Sequence, residues 1–417
     1  MILNPDEFYT AIAPNYWVSK VFGLLHLSFT EKTPQRKLVV TPFKSLIGLC
    51  ILRTVIFLAI TGYIYLELEV LEFPENMTGV AVQIELYLGV MLTIIEFILA
   101  VILRKSDLKI IDMFIALDKS MSARGICISY KGIRRIAYYQ VLAVVVMFLV
   151  SSVLQVLRDS QALLVINAGI NIVNAVNFFM VYQYINVLLL LKQRFVWLNN
   201  AIENIGTKHN ADEEVPTLQL TYVNENNKSN SLSLSPYVSK KYMKIHDLRN
   251  TIRNYGKIYN LLSDLASLIN DSFGFYILIC ILTRFIMICT ELIYFYKLFQ
   301  NPNDGDGLAY ISIVLNILMH AFKLLATVSA AGAASAAANA TGSSLHTLWD
   351  IGPEIKEEVQ FFSLQVTHHT TQYTAMGFLN VDCPLMASIL GSITTYLIIV
   401  IQFDLTSIAS EKPCVFQ

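Results

Sequence analysis

CPLMASILGSITTYLIIVIQF, residues 383–403, holds twenty-one residues without one charged side chain. A hydrocarbon core of about 30 Å is crossed by about 20 residues of helix, so this stretch has the length and the content of a membrane span. Working back from it, six further apolar blocks have similar length: 45–66, 79–103, 136–157, 163–191, 272–296 and 308–333. Blocks 136–157 and 163–191 are also free of charge, while the others carry Arg53, Glu85, Glu96, Arg284, Glu291 and Lys323. A charge at mid-membrane costs about 3 kcal/mol or more, so these six must face the bundle, water or a headgroup. Composition agrees with a membrane protein. Of the 417 residues, 55% are hydrophobic and 15% charged, with a mean hydropathy of +0.55. Soluble domains carry roughly 25% charged residues.

Lysine and arginine set the expected orientation. Residues 1–44 hold five, 104–135 eight and 192–257 ten, which with Lys356 makes 24 on one side; Arg158, Lys297 and Lys412 lie on the other. The positive-inside rule then places the N-terminus in the cytoplasm and, after seven spans, the C-terminus outside. The expected fold is all-α, a seven-transmembrane helical protein. Its organisation reads as a cytoplasmic N-terminal segment (1–44), spans one to four (45–191) and a cytoplasmic linker (192–271). Spans five and six (272–333), a cytoplasmic region (334–382), span seven (383–403) and an extracellular tail (404–417) complete it. Within the linker, 203–240 is rich in Asn and Ser and reads as a mostly disordered insertion. After it, Ile245, Leu248, Ile252, Tyr255, Tyr259, Leu262, Leu265 and Ile269 recur at helical spacing, predicting a long helix that leads into span five. The block SAAGAASAAANATG (329–342) is almost all small residues and predicts close helix packing. No cleavable signal peptide is expected from the mixed, polar first 40 residues. The sequon Asn76-Met77-Thr78 falls on the expected outer side, but similar triplets at Asn227 and Asn339 fall inside.

Several chemistries find no support. The six cysteines make no CxxC or Cys/His cluster, and His368-His369 has no ligand-spaced carboxylates or thiols, so neither metal nor cofactor is expected. No nucleophile–base set points to an enzyme. A net charge of −1 gives no reason for a nucleic-acid partner. A G-protein-coupled receptor would put its N-terminus outside, against the charge split. A transporter would more typically show broken helices at matched positions.

Span seven carries the most specific signal. Thr395-Tyr396, five apolar residues from Leu397 to Ile401, then Gln402-Phe403 reproduce a TY-five apolar-QF pattern. Before it stand Phe362-Ser363-Leu364-Gln365, His368-His369, Thr374-Ala375-Met376-Gly377-Phe378 and Asp382. Over about 50 residues this ending resembles the insect gustatory receptor family, part of the insect chemoreceptor superfamily, and looks closest to the branches that include fructose receptors. The resemblance implies a tastant-gated cation channel in sensory-neuron plasma membranes. It would be a homotetramer, or work beside other gustatory receptors, with span seven of each subunit lining a central pore. Gln402 would form a ring of amides, and Ile399 and Phe403 the gate surfaces. Taken alone, a Gln near the end of an apolar helix is simply solvated and a Phe there is an interface anchor. Thr395 and Tyr396 are expected to bond neighbouring helices, and Trp349, Phe361, Phe362 and Gln365 to join an intersubunit anchor.

The family's ligand pocket lies among spans two to six. Here Asn167, Asn171 and Asn174 share one face of span four. Amides in hydrocarbon are costly unless bonded, so they face partners or water. Gln83, Glu85 and Tyr87 on span two, Gln155 on span three, Glu291 and Tyr294 on span five, and Tyr310 and Asn316 on span six are the candidate companions. A pocket for a hydroxyl-rich molecule, fructose as first expectation, and plain helix-to-helix bonding both account for the stripe. Bitter compounds, amino acids, nucleosides or another stimulus such as light or heat stay open. Arg284 and Glu291, seven apart, pair with each other or across helices.

Overall fold

The computed structural model describes residues 5–30, 37–41, 59, 62, 77–158, 161–213, 236–300, 307–349 and 351–411. The elements are α1 (Pro5–Val21), β1 (Leu27–Thr30), β2 (Lys37–Val40), α2 (Met77–Ala123), α3 (Lys131–Arg158), α4 (Gln161–Glu213), α5 (Pro236–Gln300), α6 (Gly307–His346), α7 (Lys356–His368), β3 (Thr374–Ala375), β4 (Leu379–Asn380) and α8 (Cys383–Glu411). Two small antiparallel hairpins, β1–β2 and β3–β4, interrupt an otherwise helical chain. Among the described residues six helices are long and apolar enough to cross a membrane. They match the expected second to seventh spans. The first, 45–66, lies outside the described residues apart from Ala59 and Gly62.

The helices are far longer than a bilayer needs. At 1.5 Å per residue, the 65 residues of α5 reach about 100 Å. Boundaries expected at 191/192, 271/272 and 333/334 therefore fall inside continuous helices. Hydropathy marks where lipid ends, whereas a helix stops only where capping or a breaker stops it. For the same reason α4 continues through Glu213 and α5 starts at Pro236, so both ends of the 203–240 insertion are helical. Its middle lies outside the described residues.

Packing follows the small-residue signal. The most extensive helix contact joins α4 to α6. Ala331, Ala334 and Ala338 on α6 are fully buried, and Asn199 of α4 donates to Ala337 O at 2.8 Å while accepting from Thr341 Oγ1 at 2.7 Å. The lead into span five belongs to the same helix as the span, and its Ile252, Tyr259, Leu262, Leu265 and Ile269 are all buried. Burial falls steeply towards the rim. In the apolar windows of α5 and α4, 67% and 61% of residues are buried, against 11% in both α3 and α8. The bundle is thus built on α2, α4, α5 and α6.

At the lysine- and arginine-rich end a buried ion pair locks α2 to α4. Arg194 donates from Nε to Asp118 Oδ1 at 3.1 Å and from Nη2 to Oδ2 at 2.7 Å, both side chains being fully buried. Tyr130, just before α3, donates to the same Oδ2 at 2.7 Å. Burial and the Asp118 charge push its phenol above the ordinary value, keeping it a donor. Phe114 and Trp197 flank the guanidinium at 4.9 and 5.2 Å. Glu358 of α7 accepts from Arg249 and Arg253 of α5 at 3.0 and 3.3 Å.

The β3–β4 hairpin explains the Thr374–Phe378 motif. Met376 and Gly377 have φ of 53° and 75°, and Phe378 N donates to Ala375 O at 3.0 Å. Two consecutive left-handed residues make a tight turn of the primed type, which favours glycine. Thr374 N donates to Asn270 Oδ1 of α5 at 2.8 Å, and a Cβ on Gly274 would stand 3.2 Å from Met376 N. The hairpin seats directly on the α5 backbone.

Candidate functional site: the rim helix and a buried polar cluster

Helix α8 starts where Asp382 Oδ1 accepts from Leu385 N at 3.2 Å, with Pro384 in the first turn, where its missing N–H costs nothing. It leans on the bundle through Ile389 and Ile393, which are buried, and contacts α5 and α6. Most of its length is uncovered. Ile399 and Phe403 are 44% and 72% exposed, and Gln402, Leu390, Tyr396 and Ile398 are exposed as well. Thr395 differs from expectation: its hydroxyl donates to Gly391 O of its own helix at 2.9 Å. Back-bonding one turn away satisfies the hydroxyl without a neighbour. Of the anchor candidates, Phe362 is buried, whereas Phe361 and Trp349 remain exposed.

The expected pocket residues occupy several places. Gln83 and Tyr87 are exposed on α2. The side chains of Glu85, Gln155 and Asn167 lie outside the description. Asn171 donates to Ser152 Oγ of α3 at 3.4 Å, and Asn174 is buried. Asn316 of α6 donates to Glu291 of α5 at 3.0 Å, and Tyr310 donates to Leu298 O at 2.9 Å. Tyr294 is half-buried. Glu291 and Arg284 are partnered across helices, not with each other.

Deeper in the bundle the structure assembles a cluster whose membership the sequence does not reveal. Glu96 of α2 is fully buried and accepts from Tyr276 of α5 at 3.2 Å. With the Asn177 amide nitrogen turned toward the carboxylate, as the network requires, it donates to Glu96 Oε2 at 2.7 Å and Oε1 at 3.3 Å. Arg284 Nη1 and His320 Nδ1 lie 3.3 Å apart, both fully buried, and Lys323 Nζ sits 5.5 Å over the Phe178 ring. Arg284 Nε and Nη2 and His320 Nε2 are buried without a hydrogen-bond partner. Four helices thus contribute a carboxylate, two cations, an imidazole, a phenol and an amide at bilayer depth. Glu96, Arg284 and Lys323 were legible as charges that must face inward. Asn177 and His320 were not, because a single polar residue on an apolar helix does not name its partner. No group of three or more His, Cys, Asp or Glu suited to a metal exists among the described residues. The arrangement can hydrogen-bond a polar molecule.

The sequence model described as "7tm Chemosensory receptor" matches residues 12–407. The chain belongs to that family. Among individual receptors it is similar to the protein named "Putative gustatory receptor 28b" of Drosophila melanogaster, 23% identical over 97% of this chain and 88% of that one. A shorter match, 49% identical over 49 residues, joins it to "Putative gustatory receptor 2a" of the same organism. Its fold is similar to the insect olfactory receptor OR5 from Machilis hrabei, solved with eugenol, with a TM-score of 0.62 at 10% identity over 94% of this chain and 99% of that chain. This chemosensory receptor is a multi-pass helical membrane protein, and the family is one of receptors.

Proposed function

We propose that this receptor is a gustatory receptor of sensory-neuron plasma membranes, a cation channel opened by a small polar tastant. Four copies place α8 around a shared axis, with the N-terminus in the cytoplasm. The observation that carries this reading is the uncovered apolar face of α8 bearing the TY-five apolar-QF ending. A ring of Ile399 and Phe403 side chains closes by dewetting, and a ring of Gln402 amides passes cations without strong charge selection. The buried cluster supports coupling. Tyr276 and Arg284 lie on α5 and His320 and Lys323 on α6, the two helices that α8 touches. A ligand that hydrogen-bonds the cluster shifts α5 and α6, and α8 with them. Asn171, Asn174, Glu291, Tyr294, Tyr310 and Asn316 are the proposed further ligand contacts, and Gln83, Glu85, Tyr87, Gln155 and Asn167 stay candidates on the sequence. Such a lining suits a hydroxyl-rich ligand, and fructose is the first compound to assay.

Cells expressing the chain alone should carry cation current when fructose or another member of a tastant panel is applied. Glu96→Gln should raise the half-maximal concentration about tenfold, the equivalent of one hydrogen bond to a charged group. Phe403→Ala should raise current in the absence of ligand. A silent panel despite surface expression, together with a silent Phe403→Ala variant, would overturn the proposal.

A further inference from the structure

At the basic end of the bundle, α1, α2 and α4 line a half-open cavity of ≈ 80 Å³. It is lined by Asp107, Gln183, Asn15, Asn186 and Ser19 among apolar walls that include Phe8 and Phe114. Asp107 is only 7% exposed, and no hydrogen bond or ion pair joins it to another of the described residues. Gln183 Oε1, in the same lining, is also buried without a partner. Two other amides of the lining each make one bond to Tyr182: Asn15 Oδ1 accepts from its hydroxyl at 2.6 Å, and Asn186 Nδ2 donates to its carbonyl at 2.8 Å. The nearest ion pair is spent elsewhere, since Arg194 stands behind Phe8 and Phe114 and engages Asp118. An adjoining cavity, sharing Ile12, Asn15, Asn186 and Leu190, carries Lys192, which forms no ion pair with Asp107.

A buried carboxylate is costly unless a positive charge or a proton compensates it. The Asp107 carboxylate and Gln183 Oε1 line one half-open space, and among the described residues neither has a donor. One carboxylate among neutral oxygens balances a single positive charge, whereas calcium sites gather six to eight oxygen ligands, usually with several carboxylates. One water needs about 10–15 Å³ in this measure, so the cavity holds a sodium-sized ion with a few waters. We infer that this cavity is a binding site for a hydrated monovalent metal cation, held by the Asp107 carboxylate and the Gln183 carbonyl oxygen. Occupancy ties the N-terminal helix to α2 and α4. If the receptor conducts cations, a consequence that rests on the function proposed above, the permeant ion has a place to act back on the bundle.

The test is the thermal unfolding midpoint of the purified full chain at pH 8 in choline chloride, with sodium or potassium chloride substituted at constant ionic strength. The midpoint should rise saturably with the metal cation, by the equivalent of about a tenfold gain in folded over unfolded protein at ten times the dissociation constant. Asp107→Asn should abolish the dependence and raise the midpoint in choline, and Gln183→Leu should weaken it. Equal midpoints in all three salts would overturn the inference. So would a dependence that survives Asp107→Asn, or a stabilisation produced by lowering the pH to 6 in choline that sodium cannot add to. If Asp107→Asn does not fold, Gln183→Leu decides, because an unchanged cation dependence there removes the site. Tastant-evoked current in the same variants separates the two proposals: a lost cation dependence with current retained leaves the channel reading intact, and the reverse leaves the site.

Discussion

Replacing Asp118 by alanine removes the partner of a guanidinium that has no access to solvent. Arg194 loses two charge-assisted bonds, at 3.1 and 2.7 Å, and Tyr130 loses its acceptor at 2.7 Å. What remains is a positive charge between Phe114 and Trp197, whose one other hydrogen-bond acceptor among the described residues is Leu190 O at 2.9 Å. Breaking a buried pair on one side costs roughly 3–5 kcal/mol, mostly the desolvation of the survivor. For domains of 150–250 residues each kcal/mol is worth about 2–4 °C, and a chain of 417 sits at or below that range, so the midpoint should fall by on the order of 5–10 °C. The assay is the fraction of detergent-purified receptor that stays monodisperse after graded heating, which does not require reversibility. The decisive variant is the double replacement Asp118→Leu with Arg194→Met, which removes both charges and fills the space with apolar atoms. It should be more stable than either Asp118→Ala or Arg194→Met alone. If it is less stable than both, the uncompensated charge is not the source of the loss and the reasoning fails.

Two further predictions address packing and topology. Ala334 on α6 is fully buried against its neighbours, so Ala334→Leu should cost about 1–3 kcal/mol by overpacking, read in the same heating assay. Ala336, two residues on and exposed, should accept leucine with little change. An epitope tag before Pro5 should be undetectable on intact cells and detectable after permeabilisation; surface labelling of intact cells would reverse the orientation drawn from the lysine and arginine split.

By itself the sequence determined the membrane class, because uncharged runs such as 136–157 and 383–403 have no soluble use. It also determined the buried stripe from Ile252 to Ile269, whose period belongs to one helix, and the close packing of 329–342, where only small side chains permit contact. Family membership was legible too, since the Thr395–Phe403 pattern is local. Tertiary structure alone decided which intramembrane charges meet. Glu96 stands 180 residues from the Tyr276 that bonds it, and Arg284 found His320, not Glu291. It alone showed that Thr395 bonds its own helix and that helices run through boundaries hydropathy had drawn. Periodicity and hydropathy report the preference of each residue for water or lipid within its own helix. Partnership depends on the rotation and height of one helix against another, which the packing of all of them fixes together.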